Sequence, residues 1–329
     1  MIVETLADFL TVPELGTVVV NGLAKSALYV MIASGLTLIF GLMGVLNFAH
    51  GSLTMVGAYL AGLVMVTVVG QATGSVTRLA VFFVAILLVF GGLSVLGGAI
   101  ETTLIRPLYD RPPIYQILLT FGLTLVIDEI VRIVLGVFGM QPISDWQAAL
   151  ATKPQFLREP AAVAGISVRW MAVFQILLGI VTVVGIWAFL TKTRYGLYIR
   201  AGSEDSEMAA ALGIDVRQVF TVVFALGIGL AGAAGTLLMW DATWGASVPL
   251  AAETLLPAFI VVIVGGLGTF RGTVVAAVVV GMTDAVMTWW FQNYIQFTGL
   301  PELVLFLVLV VTLIVRPQGL FGVEEVGGH

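Results

Sequence analysis

Nine apolar passages run through these 329 residues with only short polar breaks between them, and no soluble fold has enough interior for so many hydrophobic side chains. Their approximate limits are 21–45, 52–70, 79–99, 114–137, 169–190, 218–240, 255–267, 273–291 and 300–315. A crossing helix needs about 20 mostly apolar residues. The seventh passage falls short of that and carries Pro257 near its start, so a broken or re-entrant helix is expected there. With 60% hydrophobic and 10% charged residues, the chain reads as an all-α, polytopic membrane protein embedded in lipid.

What is missing narrows the chemistry. Zero cysteines exclude disulfides and thiolate metal sites, and two histidines, one of them the terminal His329, leave little for an imidazole site, so no metal is expected. None of the three lysines stands in a G-x-x-x-x-G-K-[ST] phosphate loop, so this chain is not expected to hydrolyse ATP itself. No Ser/His/Asp grouping or dinucleotide fingerprint stands out, and the expectation is a non-enzyme. The net charge of −5 has no contiguous run behind it, and no nucleic-acid partner is expected. Met1 to Leu15 carries Glu4, Asp8 and Glu14 without Lys or Arg, which is not the basic start of a signal peptide, so the first span is expected to be retained.

The polar segment Gly196 to Val216 is stranded between membrane-grade passages. Ser203 is placed to N-cap, Glu204 and Asp205 sit in a first turn where the helix dipole favours anions, and Gly213 suits the C′ position. The expected helix runs from about Glu204 to Leu212. Met208, Ala211 and Leu212 give it one narrow apolar edge. So short a helix is unstable alone in water and must dock on something.

This segment resembles the cytoplasmic coupling loop of permease subunits in the branched-chain amino acid family of ABC importers. Gly196, Arg200, Ala201, Asp205, Ala209, Gly213 and Ile214 fit its pattern. Two further motifs agree: L-N-F-A-H-G-S from Leu46 to Ser52, with Gly57, Ala58 and Tyr59 following, and G-G-L-G-T-F-R-G with Gly265, Gly266, Gly268 and Gly272. The resemblance implies a single transmembrane permease domain over 1–329 with a coupling loop at 191–217. It implies that Ser203, Glu204, Asp205, Glu207, Met208, Ala209, Leu212 and Gly213 couple to an ATPase. It further implies a second permease subunit, two ABC ATPase subunits holding ATP and Mg, and an external solute-binding protein. The cargo would be branched-chain or other neutral amino acids, with urea or short amides as the close alternative.

Placing the coupling loop inside puts Arg106, Arg111, Lys192, Arg194, Arg200, Arg217, Arg271 and Arg316 in the cytoplasm, against Lys25, Arg78, Lys153, Arg158 and Arg169 outside. The N-terminus is then outside and the C-terminus inside the cytoplasmic membrane. Gly44, Leu46, Gly51 and Ser52 also align without gaps on Gly265, Leu267, Gly272 and Thr273, either a repeat of the kind transporters use or two similar turns.

Several residues are candidates for the transport path. Asn47, Phe48, His50 and Gly51 interrupt about 50 apolar residues, and a helix starting near Ser52 would aim its positive end at that break, where a carboxylate is welcome. The alternative is a tight cytoplasmic hairpin. In the fourth passage Arg132 is i+4 from Asp128 and i+3 from Glu129, so a triad on one face is expected, with Lys25 the best group to offset its excess negative charge. Phe121, Gly122 and Leu123 before this group also resemble the family. Asp284 stands alone, with no basic residue within one turn. In a stand-alone ion-coupled carrier or channel, the rival class, Asp128, Glu129, Arg132 and Asp284 would form the ion path. Gly227, Ala231 and Gly235 offer a small-residue packing face.

Overall fold

Gly or Pro marks many of the points where the apolar runs start and stop being helical. The computed structural model describes residues 9, 11–163, 165–241, 243–295 and 300–322; His329, Glu4 and Asp8 lie outside them. Helix α1 spans Val12–Met43 and stops at Gly44, whose φ of 65° suits only a residue without a Cβ. Helix α2 is His50–Val68, and α3 is Ser75–Ile100, prolonged through a π turn at Glu101–Ile105 and a 3-10 turn at Arg106–Leu108. Pro112 and Pro113 open α4, Pro113–Val137.

A lobe of short α5, Gln147–Leu150, and an antiparallel hairpin, β1 Pro160–Val163 with β2 Ile166–Arg169, leads to α6, Trp170–Lys192. Two short helices follow, α7 Arg194–Glu204 and α8 Ser206–Ala211. The last four are α9 Val216–Leu238, α10 Leu250–Gly265, α11 Phe270–Trp290 and α12 Leu300–Val315.

Six of these, α1, α2, α3, α6, α9 and α11, have the length and hydropathy of membrane spans. The other three expected passages are filled by α4, which is long but carries Asp128, Glu129 and Arg132, and by α10 and α12 at 16 residues each. Pro257 does not end α10, which stays helical across it. At 1.5 Å per residue α10 is about 24 Å long, less than the ~30 Å of a bilayer core.

Helix α1 is the axis of the molecule, buried from Ala27 through Ile39 among α6, α9, α10 and α11. Small residues let these backbones approach without the hydrophobic drive available in water. A Cβ on Gly35 would strike the Gly227 carbonyl, one on Gly235 the Thr54 carbonyl, and one on Gly281 the backbone of Ser26. The small-residue face expected on α9 is therefore a packing face. Helices α3, α4, α6 and α12 instead turn exposed Leu, Val, Ile and Phe outward.

The two sets of basic residues fall at opposite ends. At one end Arg106 bonds Thr221 near the start of α9, and the chain leaving α12 ties to α10 through Leu320 N–H to the Val264 carbonyl. At the other, Arg78 donates to the carbonyls of Ala151 and Thr152, Lys153 to that of Trp240, and Arg169 to Asn21. Burial pushes the Lys153 amine below the ordinary lysine range, and Asp241 opposes the shift.

Candidate functional site

The start of α2 lies deep in the bundle. After Gly44 the backbone is non-helical to Asn47 and turns back along α1, so that His50 Nε2 lies 2.9 Å from the carbonyl of Ile32. Ile32 stands eleven residues before the end of α1 at Met43. That is about 17 Å along the helix, roughly half a hydrocarbon core. In place of a tight hairpin at the end of α1 the chain re-enters, and α2 begins beside Ile32, well inside the length of α1. The similar turn at Gly266–Thr269 stays near the end of α1, Gly268 against Gly41, so the two aligned turns occupy different depths.

The side chains at this break are buried and incompletely satisfied. Asn47 and His50 are both 0% exposed. Asn47 Oδ1 accepts the Ala49 amide at 3.1 Å, which fixes the turn, but Asn47 Nδ2 and His50 Nδ1 have no partner among the described residues. No side chain caps α2; the His50 amide returns to the Asn47 carbonyl, and the positive end of the helix adds to this concentration of donors. Gly51 is required because the start of α10, at Ala251, lies against it. Phe48 sits between Phe121 of α4 and Phe259 of α10, with centroids 6.4 and 5.2 Å away, and gives the break an apolar flank.

The expected triad on α4 does not form. Asp128 accepts a hydrogen bond from Ser52 Oγ at 2.7 Å, directed inward to α2, and makes no salt bridge with Arg132. Glu129 and Arg132 are exposed. Lys25 does not offset them. Its ammonium lies 2.7 Å from Asp284, so the acid that looked solitary in sequence is the one that is paired. Tyr29 donates to Asp284 at 2.5 Å and Thr288 at 3.0 Å, leaving it 8% exposed. This pair lines a separate cavity of about 410 Å³ with Tyr29, Trp244, Leu256, Ile260 and Phe306. Of the four ionisable groups of the carrier reading, Asp128 and Asp284 are held on different neighbours, Ser52 and Lys25.

The polar segment differs from its expected form in its cap. Ser203 lies inside α7 and bonds back to the Arg200 carbonyl, while Asp205, in extended conformation, breaks the helix and accepts the Met208 amide at 2.8 Å. S-E-D-S offers three residues able to cap, and the carboxylate nearest α8 takes the role. Thr193 caps α7 through the Gly196 amide. Gly213 has φ 87° and ends α8 as anticipated, with Ile214 N–H returning to the Ala209 carbonyl. Ala209 is buried, whereas Met208 is 57% and Leu212 77% exposed. Glu204 and Glu207 are also exposed.

Behind this unit a cavity of about 410 Å³ is walled by Leu42, Trp187, Ile199, Arg200 and Ser203 together with Gly268 and Arg271, so two of the three motifs meet at one end of the bundle. In the glycine-rich turn Gly266 and Gly268 have φ of 100° and 83°, and Gly272 packs against Gly265 with no room for a side chain.

One cluster escapes sequence reasoning. Glu101, 0% exposed, accepts from Arg106 at 2.9 Å, Tyr109 at 2.5 Å and Thr221 at 2.7 Å, tying the end of α3 to α9. An i,i+5 pair is not adjacent on an α-helix. The π turn at Glu101–Ile105 brings it together.

A bundle of apolar helices with a re-entrant polar break and a capped helical unit at one end defines a polytopic membrane permease. Residues 18–315 match the family described as branched-chain amino acid transport system / permease component, and the chain belongs to that family. It is 25% identical to the high-affinity branched-chain amino acid transport system permease protein BraD of Pseudomonas aeruginosa, over 93% of this chain and 95% of that one. It is 26% identical to LivH of Escherichia coli K12 over the same shares, and 28% identical to a probable LivH of Methanocaldococcus jannaschii over 91% and 90%. Among solved structures, PsaBC from Streptococcus pneumoniae in complex with Fab aligns over 98% of both chains at 13% identity with a TM-score of 0.47.

Proposed function

We propose that this chain is the membrane-spanning subunit of an ABC importer that carries branched-chain and other neutral amino acids across the cytoplasmic membrane. The observation that carries the reading is the family match over residues 18–315, together with relatives named for branched-chain amino acid transport. The chain works with a second permease, with two ATPases that bind ATP and Mg, and with an external solute-binding protein. The N-terminus lies outside and the 194–213 end in the cytoplasm, which places the larger set of basic residues inside.

In this account the ATPases grip α7 and α8. Met208 and Leu212 supply an apolar face for them, and the Asp205 cap holds that face in shape. Movement of this unit passes through the cavity wall it shares with the Gly268–Arg271 turn and α1. The bundle then opens alternately to the two sides. Inside the bundle the start of α2, with Asn47 Nδ2 and the positive end of the helix, attracts a passing carboxylate, and Phe48 offers an apolar surface to its side chain.

The test is uptake of labelled leucine by membrane vesicles holding the complete transporter, its binding protein and ATP. Leucine uptake competed by isoleucine and valine, and not by urea, supports the reading; urea uptake without leucine uptake overturns the cargo. Sidedness is read with single cysteines at Ser206 and Ser144, free of background because the chain has none. An impermeant thiol reagent outside intact cells labels position 144 and spares 206; the reverse inverts the topology.

A further inference from the structure

Helix α4 presents a seam that no described residue covers. Leu118, Gly122, Leu125, Glu129, Arg132 and Gly136 alternate in steps of four and three, the spacing that keeps one line of residues facing a neighbouring helix over several turns. All of them except half-buried Gly122 are exposed, and a Cβ added at Gly122 or Gly136 would meet nothing within 4 Å. The buried Gln116 and Thr120 lie on the other side of the helix.

Two features exclude lipid as the cover. Charged side chains near the middle of a span cost about 2.5–3.5 kcal/mol each to insert, and Glu129 and Arg132 have no salt bridge among the described residues to offset that cost. The exposed faces of α3 and α6 are apolar along the bilayer, with Leu87 and Val95 on one and Val181 and Val184 on the other. Glu129 and Arg132 set the exposed seam of α4 apart from these two faces. The glycines give a second helix room to approach closely, and an acid and a base one turn apart are complementary to the same pair related by a two-fold axis, Glu129 of each subunit facing a base of the other.

We propose that this seam is the surface on which a second permease subunit packs, its matching helix running beside α4 and answering Glu129 and Arg132 with opposite charges. The inference rests on the importer reading above and gives it a location. Because Phe121 and Asp128 on the flank of the same helix touch Phe48 and Ser52, the subunit boundary then lies beside the re-entrant break at α2. The polar groups of Asn47 and His50 are thereby placed next to the junction of two subunits and away from lipid.

The test uses the complete transporter with a photo-activated cross-linking amino acid at Leu125, and at Leu87 and Val181 as controls. Adducts at Leu125 that mass spectrometry assigns to a membrane helix of a permease subunit, with lipid adducts only at the controls, support the seam. Lipid adducts alone at Leu125, from a transporter that still contains two permeases, overturn it and leave the importer reading standing. Failure of any second permease to co-purify with the wild-type chain overturns that reading instead. Gly122→Leu with Gly136→Leu is the second arm. Each side chain has open space within one subunit, so the isolated chain keeps its thermal stability while permease pairing falls by about tenfold or more, a loss of ~1.4 kcal/mol. Unchanged pairing in this variant counts against the seam as firmly as lipid adducts would.

Discussion

Lys25→Met is the change whose cost the structure defines most closely. The Lys25 ammonium lies 2.7 Å from Asp284, and the side chains are 30% and 8% exposed. Removing the cation strands a nearly buried carboxylate, which in a buried pair costs about 3–5 kcal/mol. Two hydroxyl donors remain, Tyr29 and Thr288, and the cavity admits some water, so the expected loss falls to roughly 2–3 kcal/mol. Asp284→Asn leaves the more exposed partner, whose amine can turn to the cavity, and is expected to cost about 1–2 kcal/mol. Lys25→Met combined with Asp284→Leu removes both charges and should come within about 1 kcal/mol of the wild type. Denaturation of the purified chain in detergent, followed by tryptophan fluorescence, measures all three. If Asp284→Asn proves as harmful as Lys25→Met, or if the double variant shows the sum of the two losses, the pair does not behave as a buried ion pair.

Asp205→Ala removes the side-chain cap of α8 and should weaken that helix by about 1 kcal/mol, visible as reduced ATPase co-purification with the bundle's melting unchanged. Gly35→Ala would drive a methyl into the Gly227 carbonyl and should destabilise the chain by about 1–3 kcal/mol in the same denaturation assay, more than Gly136→Ala, which has open space. Ser52→Ala takes away the only hydrogen bond to the Asp128 carboxylate among the described residues. The expected loss is about 1–3 kcal/mol, and Asp128→Asn with Ser52 intact should lose less.

The apolar passages and the end of the coupling helix were legible because both depend on local composition: runs of Leu, Val and Ala make spans, and Gly213 ends α8 through its positive φ. The packing face of α9 was legible for the same reason, since its glycines recur on one side. The charged groups were not. Spacing suggested that Arg132 would reach Asp128 and Glu129, but Asp128 takes its hydrogen bond from Ser52 of α2, and which neighbour a side chain meets is set by tertiary packing. Lys25 and Asp284 are 259 residues apart, and no local pattern joins them. The depth at which α2 begins depends on how far the chain re-enters after Gly44. That is decided by the fit of His50 and Gly51 against α1 and α10, with no signature in the residues themselves. In the coupling segment the helix was legible and its cap was not, because three adjacent residues could each have served.

The most direct test of the account is ATP-driven leucine uptake by proteoliposomes holding the complete transporter, comparing the wild type with Met208→Arg combined with Leu212→Arg. Both side chains are exposed, so the bundle should keep its wild-type stability. Loss of uptake and of ATPase co-purification by about tenfold or more, equivalent to ~1.4 kcal/mol of docking energy, is the predicted result. Wild-type uptake with the ATPase still bound would contradict the claim that force enters this permease through α7 and α8.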